Sequence, residues 1–398
     1  MKPKQNKKTI GIVLTSVPGY SETFFRNKIK GLQDHGFEVI LFVDYFKSSD
    51  AKFPCTVVGN ADFDAGGFNV VWIGIKILIK TLFFHLKASI RLFKLERKDG
   101  VSVIKSLQNL VLYEYLLNQK LDWLHFGFGM LANNREHIAE AINAKMAVSF
   151  RGFDLYLSPL KHPGCYDRLF KKEVRYHVLS NEMKATLIGY NIKPQTIQII
   201  TPAIDIDFFK QQPVKRDNKV LELITVARLH WKKGLEYTLQ ALSILHKKGI
   251  QFNYTIIGDG EEKERLLFAA HQMGIMNSVT FLGQQDQAEI KKHLTNSHIY
   301  LQYSIQEGFC NAVLEAQAMG LLCIVSNAEG LAENVLHEKT GWVVPKRNPK
   351  ALAQKIDTVM NLSEAEKHGY IGVAKARIER DFNLEQQNLK FKNFYTSD

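Results

Sequence analysis

Apolar runs of strand length alternate with longer amphipathic segments along most of the chain. In the first half such runs predict strands at 9–14, 37–43, 121–126, 146–150, 177–180 and 196–200. In the second half they predict strands at 221–227, 252–257, 279–282, 298–303, 322–326 and 341–344. The segments between them carry apolar residues at helical spacing. This alternation predicts an α/β protein with two Rossmann-like, doubly wound parallel sheets.

The length of 398 residues suffices for two domains of ordinary size. A stretch with two prolines and many charged residues, 201–219, has the composition of a linker between them. We therefore expect one domain at 1–201 and a second at 202–378. A terminal helix is expected at 379–398.

The charge balance indicates an anionic partner. The formal net charge is +12 and the isoelectric point is near 9.3, which suits a nucleotide, a phospholipid surface or a nucleic acid. The four cysteines have no metal-binding spacing and are typical of reduced thiols in a cytosolic protein. No signal peptide is expected, because the first apolar run is only strand-length and has no small-residue cleavage site.

The segment 69–98 departs from the alternation and is predicted to form one long basic helix. On a helical wheel its basic residues fall within roughly 60° of one another; they are Lys76, Lys80, Lys87, Arg91, Lys94 and Lys98. Lysines interrupt the apolar run, which argues against a bilayer span. Two interpretations stay open, namely a domain helix with an exposed basic stripe and an amphipathic helix that lies on an anionic membrane surface.

The stretch 303–319 contains two carboxylates that suggest a sugar-phosphate site. Glu307 is predicted to lie in a strand-to-helix loop, and Glu315 about two turns into the following helix. The free backbone N–H groups at a helix start favour a bound phosphate. Carboxylates at the mouth and along the helix suit pairs of sugar hydroxyls.

Basic residues and glycines follow the preceding strands of the same half. Arg228 and Lys233 flank the loop after its first strand, a Gly258-Asp259-Gly260 turn follows the second, and Gly283 ends the third. Since parallel strands place their carboxyl ends at one sheet edge, these groups should converge with the glutamates. A guanidinium and an ammonium there would bind a diphosphate without a metal ion. Taken alone, both basic residues would more often be solvated surface charges.

Several weaker motifs allow a structural interpretation as well as a functional one. Gly127-Phe128-Gly129 with Asp154 fits a dinucleotide-binding pattern, but it is not in the first strand–helix turn and is interpreted as a tight turn. Arg151 follows a predicted strand and could face an anion or form a surface salt bridge with Asp154. His125 is favoured as a structural histidine. Two D-x-D pairs, Asp62 with Asp64 and Asp205 with Asp207, are favoured as chance spacings over metal ligands.

Taken together, the motifs resemble a known family. V-A-R-L-H-W-K-K-G at 226–234, I-I-G-D-G at 256–260, F-L-G at 281–283 and E-G-F-C-N-A-V-L-E at 307–315 are similar to motifs of the retaining GT-B glycosyltransferases of family 4. P-G-Y-S-E-T-F-F at 18–25 resembles the branch that builds bacterial polysaccharides. The resemblance covers nearly the whole chain and implies two domains that face a central cleft. The first would bind the acceptor and the second the nucleotide sugar, with the terminal helix crossing back to the first.

The resemblance also implies roles for individual residues. Arg228 and Lys233 match positions that bind the donor diphosphate, Glu315 the residue that holds the ribose, and Glu307 the residue beside the transferred sugar. The remaining donor-binding positions implied are Gly19, Gly258, Gly283, Gly308, Phe309, Asn311 and Ala312. Many relatives have histidine where this chain has Arg151. Because arginine does not act as a base, Arg151 would stabilise negative charge or bind an anionic acceptor.

The resemblance implies retaining transfer of a sugar, with UDP as the expected nucleotide, to a lipid-linked or polysaccharide acceptor. Neither a metal ion nor a separate cofactor is expected, and nucleic acid is not an expected partner. The expected location is the cytoplasm, with contact to the inner face of the membrane. Two alternatives remain, namely an epimerase or phosphorylase of activated sugars on the same scaffold and a non-catalytic basic membrane-binding module.

Overall fold

Two parallel β-sheets, each in its own unit of the chain, form the architecture. The computed structural model describes residues 7–19, 23–47, 50, 52–61, 68–210 and 220–397. Unit 1 consists of Met1–Val178, Met183–Ile200 and Asn388–Asp398, and unit 2 of Leu179–Glu182 and Thr201–Gln387. Both sheets are parallel with helices in the connections, as the alternation of apolar runs predicts.

The sheet of unit 1 has seven strands in the order β3-β2-β1-β4-β5-β6-β7. They are β1 (Thr9–Leu14), β2 (Glu38–Val43), β3 (Thr56–Gly59), β4 (Trp123–Phe126), β5 (Lys145–Ser149), β6 (Val174–Val178) and β7 (Ile197–Ile199). The central strand β1 pairs with both β2 and β4, and its residues from Ile10 to Leu14 are buried. The edge strand β3 is short and only partly buried, which explains why its apolar signal does not stand out in the sequence.

The helices of unit 1 vary greatly in length. They are α1 (Thr23–Asp34), α2 (Phe68–Phe84), α3 (Leu86–Lys98), α4 (Val103–Leu112), α5 (Glu114–Leu117), α6 (Ile138–Ala141), α7 (Phe153–Tyr156), α8 (Ser158–Lys161) and α9 (Asn181–Gly189), of which the last is divided between the units. The short helix α6 begins only at Ile138, and Asn134 upstream of it has a positive φ of 62°, which lies outside helical geometry.

The prediction of one continuous helix at 69–98 is wrong, because the chain breaks at His85 between α2 and α3. His85 has non-helical backbone angles, φ −127° and ψ 32°. Next to the break, the Ser89 hydroxyl donates to the carbonyl of His85 at 2.9 Å, so a side chain engages a carbonyl of the helical ladder. Helical spacing counted across His85 therefore does not assign residues to one common face.

Unit 2 has a six-stranded sheet in the order β10-β9-β8-β11-β12-β13. The strands are β8 (Leu221–Val226), β9 (Phe252–Ile257), β10 (Val279–Gly283), β11 (Ile299–Gln302), β12 (Leu322–Ser326) and β13 (Trp342–Val344). The helices are α10 (Leu235–Lys247), α11 (Lys263–Gln272), α12 (Gln287–Asn296), α13 (Asn311–Ala318), α14 (Leu331–Asn334), α15 (Pro349–Met360), α16 (Glu364–Asp381) and α17 (Leu384–Thr396). The chain leaves β8 toward β9 and β10, and then returns to place β11 on the other side of β8. The boundary between β8 and β11 is thus the switch point at which such sheets bind ligands.

The end of α17 contributes to the core of unit 1. Phe391, Phe394 and Tyr395 are at most 1% exposed and pack in the same cluster as Ile10, Phe24 and other residues around the sheet. These aromatic rings bury a large apolar area, so residues 388–398 are part of the fold of unit 1. Among the described residues, no helix has both the length and the apolar character needed to cross a membrane.

A chain of hydrogen bonds links Tyr395 to the interior of unit 1. The Tyr395 hydroxyl lies 2.5 Å from Nδ1 of His125, and Nε2 of His125 lies 2.7 Å from Oγ of Ser149. The same Oγ lies 2.7 Å from Nδ1 of His177, whose Nε2 lies 3.0 Å from the carbonyl of Ile200. Because a carbonyl only accepts, each group donates to the next, and each imidazole carries one proton. Burial first, and then the nearby Lys28, hold the pKa of both histidines well below the ordinary value.

Lys28 lies inside this network, where an ammonium group is poorly solvated. It is 1% exposed, and its Nζ lies 3.4 Å from both ring nitrogens of His125 and 4.5 Å from the ring centroid of Phe391. Burial, and after it the charge of Arg151, hold the pKa of Lys28 well below its ordinary value. Folding at neutral pH therefore favours loss of a proton that the unfolded chain keeps.

Replacing Lys28 with methionine is expected to stabilise the protein at pH 7 by roughly 1–4 kcal/mol, the range found when buried charges are exchanged for apolar groups. Both nitrogens of His125 keep their partners, Tyr395 and Ser149, so no polar atom loses its only contact. The wild type regains stability as the pH rises toward the pKa of lysine in the unfolded chain. The stability gain of the Lys28→Met variant should therefore shrink toward about pH 10. Thermal unfolding at the two pH values measures it.

Lys30→Met provides the control, because Lys30 is exposed on the same helix and should change stability by less than about 0.5 kcal/mol. A Lys28→Met variant that melts below the wild type at pH 7 would show that Lys28 stabilises the network.

Candidate active site

Five loops of unit 2 lie at the carboxyl edge of its sheet. They follow β8, β9, β10, β11 and β12, and the loops after β8 and β11 flank the switch point. The paired glutamates, the two basic residues and the Gly258-Asp259-Gly260 turn singled out from the sequence all lie in these loops or in α13, which follows one of them. The parallel order of the strands therefore brings together groups that are up to 87 positions apart in the chain, Arg228 and Glu315 being the extremes.

Lys233 and Glu307 form an ion pair across the switch point. The Nζ of Lys233 donates to Oε2 of Glu307, and the two side chains are only 12% and 13% exposed. Ser304 donates to the same carboxylate oxygen at 3.3 Å. Burial acts to lower the pKa of Lys233, but the Glu307 carboxylate outweighs it, so the pKa lies above the ordinary lysine value. Lys233 is therefore a fixed positive charge at neutral pH.

Backbone contacts hold the lysine loop against its neighbours. The carbonyl of Lys232 accepts the N–H of Ile305 at 2.7 Å, which ties the loop after β8 to the loop after β11. On the other side, the N–H of Leu229 donates to the carbonyl of Asp259 at 2.9 Å. Gly258 has a φ of 134°, and a Cβ there would lie 1.9 Å from the carbonyl oxygen of Ala227, so only glycine permits this approach.

The loop after β12 supports the Glu307 loop, and sequence reasoning missed these residues. Oε2 of Glu329 accepts the backbone N–H of Glu307 at 2.9 Å, and Lys346 pairs with Glu329 at 3.0 Å. The side chain of Asn334 bonds both the N–H and the carbonyl of Cys310, at 2.9 and 3.0 Å. Gly330 packs so closely that a Cβ would lie 1.8 Å from the carbonyl of Gly308. The available signal was E-G-L-A-E-N at 329–334, a polar segment directly after a buried strand.

Glu315 is the fifth residue of α13, which places it about one turn into the helix rather than two. It is partly buried, and no hydrogen bond or ion pair of its carboxyl group is found among the described residues. Burial raises the pKa of Glu315 to about 7. A carboxyl group held in this way lacks the polar partners that buried acids usually have, and ligand hydroxyls would supply them.

The other predicted residues of unit 2 lie in the loops and the helix at the same edge of the sheet. Arg228 is exposed at the end of β8, Gly283 ends β10, and Gly308 and Phe309 are buried between Glu307 and α13. Asn311 and Ala312 form the first turn of α13, whose N-cap, Cys310, makes no side-chain capping bond. The backbone donors of that turn are therefore suited to an anion. Positive groups beside a partly buried carboxyl group match a diphosphate joined to a hydroxyl-bearing sugar.

Two predicted residues, Gly19 and Arg151, belong to unit 1. Gly19 is exposed beyond the end of β1, where Arg26 donates to the carbonyls of Pro18 at 2.7 Å and of Gly19 at 3.2 Å. The guanidinium of Arg151 stacks 3.7 Å from the ring centroid of Phe24. This aromatic contact orients the charged group after β5.

Asp154 and Asp205, which belong to the weaker motifs, have structural roles. Asp154 is 3% exposed and accepts backbone N–H groups of Gly129, Arg151 and Gly152 at 2.8–3.0 Å, so it holds the turn together. Asp205 accepts the N–H of Phe208 at 3.0 Å and caps a turn. Asp62 and Asp64 lie outside the described residues. Within the described part of the chain, no group of three metal-ligating side chains is found.

The sequence of unit 2 matches a family model. Residues 205–372 match the model of the glycosyl transferases group 1 family, and this range contains every loop of the site. Within the matched range, the E-x7-E spacing of Glu307 and Glu315 corresponds to a loop glutamate and a helix glutamate on opposite sides of the start of α13.

Curated relatives extend the likeness to nearly the whole chain. WcaL of Escherichia coli (strain K12), whose name assigns it to colanic acid biosynthesis as a glycosyltransferase, is 26% identical over 95% of this chain and 97% of its own length. The amylovoran biosynthesis glycosyltransferase AmsK of Erwinia amylovora is 30% identical over 65% of this chain and 66% of its own. Both matches reach beyond the range 205–372.

Solved structures confirm the predicted fold class. A glycosyltransferase from Rickettsia africae has a TM-score of 0.72 at 20% identity and covers 98% of both chains. Alr3699/HepE from Anabaena in complex with UDP has a TM-score of 0.73 at 15% identity and covers 98% of this chain and 100% of its own. At such identities the likeness concerns the fold, which is the two-sheet, Rossmann-like architecture of GT-B glycosyltransferases.

Replacing Glu315 with glutamine is expected to stabilise the protein above pH 7. The folded state raises the pKa of Glu315 to about 7. The protonated carboxyl group therefore contributes its full stabilisation below the pKa that Glu315 has in the unfolded chain, and this contribution is lost as the pH rises through 7. The variant has no carboxyl group to ionise, so its advantage should grow between about pH 4 and 7 and reach roughly 3 kcal/mol. Chemical denaturation at a series of pH values measures this difference.

Glu385→Gln serves as the control, since Glu385 is exposed and should leave the pH profile unchanged. A Glu315→Gln profile parallel to that of the wild type would contradict the inferred burial of the charge.

Proposed function

We propose that the protein is a retaining glycosyltransferase that uses a nucleotide sugar, expected to be a UDP-sugar, and a lipid-linked or polysaccharide acceptor. The observation that carries the proposal is the ion pair of Lys233 and Glu307 beside the start of α13, with the partly buried Glu315 one turn further on. The positive charge and the backbone N–H groups suit the diphosphate of a nucleotide sugar, and the carboxyl group suits its sugar hydroxyls.

The donor would lie along the switch-point edge. Arg228 and Lys233, together with the N–H groups of Asn311 and Ala312, would bind the diphosphate, and Glu315 would hold the ribose hydroxyls. Gly258, Gly283, Gly308 and Phe309 would shape the walls of the site, and Gly19 would contribute from unit 1. The complex of Alr3699/HepE with UDP supports UDP as the nucleotide, because that protein has the same fold.

Catalysis would depend on stabilising the departing nucleoside diphosphate. The bond from the anomeric carbon to the diphosphate oxygen breaks, and a bond from that carbon to the acceptor oxygen forms on the same face. The acceptor proton passes to the departing phosphate, so no side chain has to act as base. The raised pKa of Lys233 keeps its ammonium charged throughout this step, next to the negative charge that develops. No metal ion is required in this scheme.

Glu307 and Arg151 would act on the other groups. Glu307 pairs with Lys233 and, from its loop between β11 and α13, would contact the hydroxyls of the transferred sugar. Arg151, fixed on the ring of Phe24, would stabilise negative charge or bind an anionic acceptor. The acceptor would belong to the synthesis of a cell-surface polysaccharide at the cytoplasmic face of the membrane. The names of WcaL and AmsK, which refer to colanic acid and amylovoran biosynthesis, support the first part of this assignment.

Lys233→Ala and Glu307→Ala are each expected to reduce turnover by about 10²–10³-fold, the usual cost of losing a preorganised charge at the reaction centre. Release of UDP from a panel of UDP-sugars, with and without lipid-linked acceptors, measures the reaction. Lys247→Ala is the matched control, because Lys247 is exposed at the far end of α10. Full activity in folded Lys233→Ala protein would refute the assignment, and equal donor turnover without any acceptor would favour an epimerase.

Arg228→Met is expected to weaken binding of UDP by about tenfold while leaving binding of uridine unchanged, because only the diphosphate carries the charge that Arg228 would pair with. Isothermal titration with both ligands makes the comparison, again with a Lys247 variant as control. An equal loss for uridine would place Arg228 at the nucleoside rather than at the diphosphate.

A further inference from the structure

The helices α2 and α3 present apolar side chains on the outside of unit 1. Phe83 and Phe84, which end α2 just before the break at His85, are 84% and 74% exposed. Further exposed apolar residues recur at steps of three or four on both sides of them; they are Trp72, Ile75, Ile79, Leu86 and Ile90. Together these seven residues are called the elbow patch. Isolated exposed apolar residues are ordinary, but seven of them within residues 72–90 of two consecutive helices point to an interaction site.

The faces of these helices that point inward are unusually polar. Thr81, Ser89 and Glu96 are at most 3% exposed, and Glu96 accepts a hydrogen bond from the Asn109 amide of α4 at 2.8 Å. A helix pair that meets only water would place polar residues outside and aromatic residues inside. Leu92 of α3 is buried beside them at 1% exposed, so the inward faces mix polar and apolar residues while the aromatic residues Phe83 and Phe84 lie outside.

Basic residues accompany the patch. Residues 68–98 contain seven lysines and arginines and a single acidic residue, the buried Glu96. Lys76, Lys80 and Lys87 each directly follow a member of the patch and are exposed, and Lys94 is exposed further along α3. Lys80 pairs with Glu114 at 3.0 Å, and Arg91 donates to the side chain of Asn143. The charge that remains at the surface is therefore carried mainly by lysines.

We infer that the elbow patch inserts into an anionic phospholipid surface, with Phe83 and Phe84 entering the acyl boundary and Lys76, Lys87 and Lys94 contacting lipid phosphates. The lysines decide between lipid and a second copy of the chain, because a symmetric pairing of two such patches would bring lysine against lysine. The inference does not depend on the proposed sugar transfer, since it concerns only helices of unit 1.

Sedimentation with vesicles tests the inference without any donor or acceptor. The wild type is expected to bind vesicles of phosphatidylcholine with roughly one third phosphatidylglycerol, and to bind pure phosphatidylcholine far more weakly. Phe83→Ser/Phe84→Ser should reduce the partition coefficient by about tenfold for each ring removed. Lys76→Glu/Lys87→Glu/Lys94→Glu should reduce it by at least about fivefold for each lysine. Lys80 is left in place because its reversal would face Glu114.

Matched controls lie on unit 2. Phe268→Ser removes a phenylalanine of α11 that is 62% exposed, and Lys247→Glu/Lys339→Glu/Lys350→Glu makes the same change in net charge as the triple lysine variant. Both should bind as the wild type does, and circular dichroism checks the folding of every variant. Unchanged binding by the Phe83/Phe84 variant, or equal binding to neutral vesicles, would overturn the inference. The inference would also be overturned if the wild type formed a dimer and bound no vesicles, and if the Phe83/Phe84 variant were monomeric. That outcome would assign the patch to self-association.

Discussion

The ion pair between Lys233 and Glu307 is the contact on which the candidate site depends. Both charges are largely removed from water, so either charge alone would destabilise the fold. Their mutual attraction offsets the desolvation free energy only if the geometry of the pair is held. The backbone supplies this restraint. Lys232 bonds the loop after β11, and Glu329 bonds the backbone of Glu307 from the loop after β12. A few main-chain contacts thus fix a permanent positive charge at the switch point, where a diphosphate can use it.

The two glutamates of the E-x7-E stretch differ because of their surroundings. Glu307 faces an ammonium and a hydroxyl, whereas Glu315 is partly buried one turn along α13 with its pKa raised to about 7. Under the proposed function, these two carboxyl groups would have separate tasks, in the way that enzymes often divide roles between identical groups. Glu307 would organise positive charge, and Glu315 would offer its carboxyl group to hydroxyls.

Unit 1 has polar residues in its interior and apolar residues exposed on its outer helices. Its interior contains the chain of hydrogen bonds from Tyr395 through His125 and Ser149 to His177, with Lys28 beside it. Its outer helices carry exposed phenylalanines. Buried polar chains are stable only when every donor finds an acceptor, which this relay achieves through one consistent direction of donation. The exposed aromatic residues have no such compensation from water. The fold itself supplies hydrogen-bond partners for the buried polar groups of the interior. The elbow patch, by the inference above, is covered by a surface outside the fold.

The sequence by itself determined the alternation of strands and helices, the two parallel sheets and the loops that carry Arg228, Lys233, Glu307 and Glu315. These follow from local periodicity and from the rule that parallel strands gather their carboxyl ends. Only the tertiary structure decided the break at His85, the engagement of Asp154 by three backbone donors and the support of the Glu307 loop by Glu329 and Asn334. Those features depend on hydrogen bonds between residues distant in the chain and on angles at single residues. Hydrophobic periodicity does not encode either, because it records only which face of an element is buried.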